Sequence, residues 1–182
     1  MHNEIRQVKA NADLLYTEAE VEVALDNMAI AITGMLHEAD PVILCVLNGG
    51  IIMAGRLLTR LHFPLMLDSV NASRYQNQTS GGAIKWLLKP SEPLANRTVL
   101  IVDDVLDEGI TLAAIKDYCM EQGAKAVYIA VLLDKNLSRS KPIQADFTGL
   151  TVENRYLFGY GLDYKGYLRN AAGIFACKEE DE

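Results

Sequence analysis

The sequence predicts an α/β fold, with a mainly parallel central sheet flanked by helices and a small appended subdomain. Three observations carry this expectation. Short, continuous apolar runs at 42–47, 98–102 and 126–133 have the length of strands buried on both faces. Stretches with helical spacing alternate with these runs, which is the pattern of parallel α/β units. Beyond Lys135 the pattern becomes shorter and more aromatic, so 136–182 reads as the appended part. The chain has 182 residues, half of them apolar, enough for one domain spanning 1–182 with a sizeable core.

The elements follow in order. Thr17 and Glu20 can form a capping box, and Val21, Leu25, Met28, Ile32 and Met35 recur at helical spacing, giving a helix over 18–38. The run at 42–47 is a strand, ended by the turn Asn48-Gly49-Gly50, and 51–62 is a second helix. Pro64 precedes a short strand at 65–70. Residues 71–82 are polar and small and read as a long functional loop, with a returning strand at 83–88. A turn region at 90–96 leads to the strand at 98–102. A helix over 110–122 closes at Gly123, and 126–133 is a further buried strand.

Bulk properties narrow the function. The net charge is −7 and the sequence ends KEEDE, so a nucleic acid partner is not expected. No apolar run approaches the ~18 residues of a membrane span. The N-terminal MHNEIRQVKANAD is polar and mixed in charge, unlike a secretory leader. Cys45, Cys119 and Cys177 offer no disulfide framework, and a reducing cytoplasm is the expected compartment. His2, His37 and His62 are scattered without metal-ligand spacing.

The chemistry lies in RTVLIVDDVLDEGITLA, residues 97–113. An apolar strand runs directly into Asp103 and Asp104, and parallel sheets bind ligands at the carboxyl ends of their strands. Paired carboxylates there can accept hydrogen bonds from sugar hydroxyls. Asp107, Glu108, Gly109 and Ile110 follow, then Thr111 and a helix, whose free amides and dipole suit a phosphate. Any one of these acids could merely end a strand or cap a helix. Three in five residues after a buried strand, followed by Gly-x-Thr, favour a sugar-phosphate site.

This segment closely resembles the motif by which type I phosphoribosyltransferases bind 5-phosphoribosyl-1-pyrophosphate (PRPP), with Glu108 in place of the usual Thr. The resemblance implies that fold, with the appended part forming a hood together with the N-terminal segment. It implies that Asp103 and Asp104 hold the ribose, and that Glu108, Gly109, Ile110 and Thr111 hold the 5′-phosphate. Further matches point to the hypoxanthine-guanine branch. Lys135, in LLDKNLSRS, matches a lysine that donates to the purine 6-oxo group; an ammonium can serve a carbonyl but not a 6-amino group. RYLFGYGLDYKGYLR, residues 155–169, resembles the base-covering hood. Tyr156 takes the stacking position there, the main chain at Leu157 and Asp163 meets the base edge, and Arg169 contacts pyrophosphate.

Leu47, Asn48 and Gly49 match the pyrophosphate loop, where the family has a non-proline cis peptide, here at Leu47-Asn48; Asn48 replaces a frequent Lys. Ser73, Arg74 and Tyr75 fit a mobile catalytic loop. The resemblance further implies Mg²⁺ near Asp103, Asp104 and Asp163, and a homodimer or homotetramer. The expected reaction joins hypoxanthine or guanine to PRPP, releasing pyrophosphate, with Asp107 as general base at purine N7. Three alternatives remain open. One is a relative with another base, xanthine foremost. Another is a PRPP-binding regulator of the same fold that binds RNA or DNA. The third is a non-catalytic phosphate-binding module.

Overall fold

The structure, a computed structural model, describes residues 2–74 and 84–178. Its elements are α1 (His2–Asn11), β1 (Asp13–Thr17), α2 (Glu18–Leu36), β2 (Val42–Val46), α3 (Gly50–Leu58), β3 (Met66–Arg74), β4 (Ile84–Leu88), β5 (Thr98–Leu106), α4 (Ile110–Glu121), β6 (Ala126–Asn136), β7 (Phe147–Glu153), β8 (Leu157–Phe158) and β9 (Gly173–Ala176). Six strands form one sheet in the order β4-β3-β2-β5-β6-β7, parallel except for β4 against β3. β1, β9 and β8 form a second, antiparallel sheet.

The continuous apolar runs make sense once both faces of the large sheet are covered. On β2, Ile43 and Cys45 face a core built with α2 and α3, including Leu25, Ile32, Met53 and Leu57. Val42, Leu44 and Val46 face the opposite core with Leu112, Ile115 and Cys119 of α4. Each Leu or Ile buried in this way contributes about 1.5–3 kcal/mol. α2 begins with the expected capping box: Thr17 Oγ1 accepts from Glu20 N, while the Glu20 carboxylate accepts from Thr17 N at 2.8 Å. Met35 departs from the expected core stripe; it is 54% exposed, and Leu36 is buried instead.

Several boundaries differ from expectation for physical reasons. Residues 71–74 are strand rather than loop, because β3 continues past Val70 and pairs antiparallel with β4. Ser73 and Arg74 therefore sit on a ladder opposite Lys85 and Ile84, and Tyr75 lies outside the described residues. α3 stops at Leu58, short of residue 62. β5 runs through its acids to Leu106, since β6 keeps pairing with it that far. β7 lies within 136–182, yet it joins the large sheet as the strand beyond β6, so the hood proper is the small sheet.

The small sheet joins distant parts of the chain: β1 pairs with β9, Asp13 opposite Ala176. α1 packs Ile5 and Val8 against Phe158, Tyr164 and Cys177. The Tyr160 phenol donates to Glu22 Oε1 at 2.5 Å, tying the hood segment to α2. Among the described residues no helix is long and apolar enough to cross a membrane.

Candidate active site

β2 and β5 are parallel neighbours as far as Cys45 and Val102, and the segments beyond that pairing face the hood across a cavity of about 570 Å³. The cavity is bordered by Leu47, Asn48 and Gly49 after β2, and by Asp103, Asp104, Asp107, Glu108, Gly109, Ile110 and Thr111 along β5 and its turn. Lys135 of β6 completes the floor, and the hood contributes Tyr156, Leu157, Asp163 and Arg169. Ser73 is not among the lining residues, although neighbouring Ala72 is.

At the centre, Asp104 N donates to Asp103 Oδ1 at 2.9 Å, and Asp104 is only 7% exposed. Burial, then the charge of Asp104, pushes the Asp103 carboxyl well above the usual carboxylate range; burial likewise raises Asp104. Two crowded, desolvated carboxylates are poised to accept a compensating cation or hydroxyl donors. Behind them, burial and then the charges of Asp103 and Asp104 push the Cys45 thiol up to about 11. Cys45 is therefore a core thiol and not a nucleophile.

The turn after β5 ends at Gly109, whose φ of 80° places it in the left-handed region as the N-cap of α4. This opens the helix N-terminus, with Ile110 and Thr111, toward the cavity. Lys135 Nζ donates to Asp107 Oδ2 at 3.1 Å, so the expected base reader and general base are direct neighbours. Glu108 is ion-paired with Arg139, which the sequence reading did not single out.

On the other wall, the Leu47-Asn48 peptide is cis, at the expected position. Gly161, with φ 111°, abuts the Gly49 carbonyl so closely that a Cβ would collide with it. Arg169 Nη1 donates to the Gly161 carbonyl at 2.5 Å, and its Nη2 lies 2.5 Å from Asp163 Oδ1. The hood's cation and acid thus brace each other. Tyr156 is 40% exposed and meets Tyr164 edge-on, with ring centroids 5.7 Å apart.

The expected metal acids are only partly assembled. Among the described residues no group of three His, Cys, Asp or Glu side chains is placed to hold an ion, and Asp163 is occupied by Arg169 and by Gly166 N. The adjacent, desolvated Asp103 and Asp104 still fit Mg²⁺, which commonly binds through one or two carboxylates and takes its other ligands from substrate and water. Sequence reasoning also missed Lys141, which lies behind the turn, and Gly161. The signal for Arg139 and Lys141 was the pair of cations in SRSK just past a strand end.

A parallel sheet whose strand-end acids lead through a glycine turn into a helix, opposite an aromatic hood, defines a sugar-phosphate-binding α/β protein. The family model described as phosphoribosyl transferase domain matches residues 12–165, and the chain belongs to that family. It is 32% identical over 181 residues to the hypoxanthine-guanine phosphoribosyltransferase of Streptococcus pneumoniae, covering 99% of this chain and 97% of that protein. It is 33% identical over 181 residues to the bifunctional protein TilS/HprT of Listeria innocua; that match covers 99% of this chain but only 27% of the longer relative. A hypoxanthine phosphoribosyltransferase structure from Staphylococcus aureus superimposes with a TM-score of 0.87, at 25% identity and 92% coverage of both chains.

Proposed function

We propose that the protein is a purine salvage enzyme that transfers the 5-phosphoribosyl group of PRPP to hypoxanthine or guanine, giving IMP or GMP and pyrophosphate. The observation that carries this reading is the convergence of the Asp103–Thr111 segment and Lys135 on one cavity beneath Tyr156. We place the enzyme in the cytosol, and we propose the homodimer or homotetramer that the resemblance implies. Sedimentation tests the assembly.

In the proposed mechanism Asp103 and Asp104 accept from the ribose hydroxyls. The backbone amides of the 108–111 turn and the Thr111 hydroxyl hold the 5′-phosphate at the α4 N-terminus. The 47–49 loop and Arg169 receive the pyrophosphate. Tyr156 stacks on the purine and fixes its plane. Lys135 donates to the 6-oxo oxygen, and Asp107 takes the proton from N7 as N9 attacks the anomeric carbon. The bond from the anomeric carbon to pyrophosphate breaks as the bond to the base forms. Asp103 and Asp104 would hold Mg²⁺, which would supply charge neutralisation for the leaving pyrophosphate. Holding base and sugar in line supplies most of the remaining acceleration.

A panel assay with PRPP and guanine, hypoxanthine, xanthine or adenine tests the reading. Turnover of the first two supports it. Faster turnover of xanthine would move the enzyme to another base. Absence of all turnover, together with nucleic acid binding, would replace it with a regulator.

A further inference from the structure

β6 and β7 are parallel neighbours, and such pairs are commonly joined through a helix. Here residues 137–146 make the crossing without one. The crossing runs along the α4 face of the sheet, where Ile143 and Ala145 join the core. It passes directly under the turn that follows β5. A Cβ built on Gly109 would lie 3.1 Å from Ile143 Cγ2 and 3.5 Å from Pro142 Cδ. Arg139 pairs with Glu108 at the same turn. Lys141 Nζ donates to the Leu106 carbonyl at 2.7 Å and to Asp134 Oδ1 at 2.5 Å, and its side chain is only 12% exposed.

We infer that this crossing is a strap that fixes the PRPP-binding turn, and that Lys141 is its positioning residue. The inference rests on the proposed role of that turn. Leu106, the last residue of β5, and Asp134 of β6 are register partners, one residue before Asp107 and Lys135. The two strands are supported unequally. β6 pairs with β5 as far as Asp134 and with β7 as far as Asn136, so it has strands on both sides up to the residue before Lys135, and β7 continues beside Lys135 itself. β2 leaves β5 after Val102, so residues 103–106 are paired only with β6. Lys141 supplies the missing second restraint at the last residue before the turn. Its charge is offset by Asp134, and it satisfies a carbonyl at the strand's end. Arg139, Pro142 and Ile143 hold the next residues of the turn by ion pairing and contact. Loss of Lys141 therefore frees the phosphate side of the site and leaves Lys135 and the hood in place.

The test is steady-state kinetics of Lys141→Met and Lys141→Arg against the unaltered enzyme, varying PRPP and guanine separately, with thermal midpoints recorded. Lys141→Met should raise the PRPP KM about tenfold, well inside the ~10²-fold that a 1 Å misplacement can exact. Its guanine KM should stay within about twofold, the range of a neutral surface change. Lys141→Arg, which keeps the charge and donors, should recover most of the loss. An unchanged PRPP KM in folded Lys141→Met, an equal rise in both KM values, or no recovery by Arg overturns the inference. If Lys141→Met does not fold, Asp134→Asn decides: it loosens the clip while sparing the Leu106 bond, and an unchanged PRPP KM there also overturns it. Thr111→Ala separates the two levels. A PRPP KM that responds to Thr111→Ala but not to Lys141→Met removes the strap alone. If neither variant responds, the turn does not bind PRPP at all.

Discussion

Lys135 and Asp107 lie 28 residues apart in the chain, yet their side chains meet at 3.1 Å in the cavity. The pair combines a donor and an acceptor at adjacent positions. Hypoxanthine and guanine present a complementary edge, a 6-oxo acceptor beside N7. The ammonium has three donors, so it can keep Asp107 and still reach the 6-oxo oxygen. Lys135 is 12% exposed and Asp107 47%, which leaves the carboxylate open to the incoming base.

Asp107→Asn keeps the shape of the side chain but removes the charge proposed to take the proton from N7. Turnover should fall by ~10²-fold or more. The PRPP KM should move far less, because sugar and phosphate are assigned to other residues. Full activity in steady-state assays of this variant would remove Asp107 from the mechanism.

On the proposed reading, Lys135→Ala leaves a buried 6-oxo oxygen without its charged donor, a loss of about 1.5–3 kcal/mol. Guanine and hypoxanthine should weaken together, and adenine should bind no worse. Competition measurements across the three bases test this. An unchanged preference would return Lys135 to a purely structural role.

Glu108 places a carboxylate in the turn proposed to bind the 5′-phosphate, and its pairing with Arg139 offsets that charge. Glu108→Thr alone should therefore change the PRPP KM little. Arg139→Ala exposes the carboxylate and should raise that KM by up to about fivefold, the ~1 kcal/mol scale of exposed pairs. The double variant should return toward the starting value. A double variant as weak as Arg139→Ala alone would show that the two side chains act separately.

Removal of divalent ions with a chelator should abolish turnover, and Mg²⁺ should restore it, because pyrophosphate leaves poorly without charge neutralisation. The circular dichroism spectrum should not change, since the proposed ion site depends on substrate oxygens. Turnover in excess chelator would contradict the assignment of Asp103 and Asp104.

Gly161→Ala would drive a methyl group into the Gly49 carbonyl at a backbone angle that side chains rarely adopt. Strain of this kind costs about 1–3 kcal/mol. The thermal midpoint should fall and the PRPP KM should rise, since Gly49 belongs to the proposed pyrophosphate loop. A variant matching the parent in both would mean that the two loops can separate freely.

The parts legible in the sequence were those whose pattern is local. Thr17 and Glu20 announce a helix start within four residues, and the apolar run into Asp103 and Asp104 marks β5 and the acids it carries, although the strand continues to Leu106. The parts that were not legible depend on distant partners. α1 buries only Ile5 and Val8, so its sequence reads as polar, and β1 exists because β9 pairs with it. Residues 71–74 look like a loop because a peripheral strand pair needs no continuous apolar run. The pairing of Arg139 with Glu108 has no periodic signature at all. Its separation of 31 residues becomes contact only through the crossing between β6 and β7.

The pairing of β1 with β9 also dictates an order of events during synthesis. All six strands of the larger sheet emerge from the ribosome before residues 173–176 do. Contacts between such remote segments form late, because closing a long loop is entropically slow. The floor proposed to hold phosphate can thus be assembled while the aromatic roof still lacks its central strand. A nascent chain at that stage would carry the proposed sugar-phosphate site and Lys135 before the roof that closes over the base is complete.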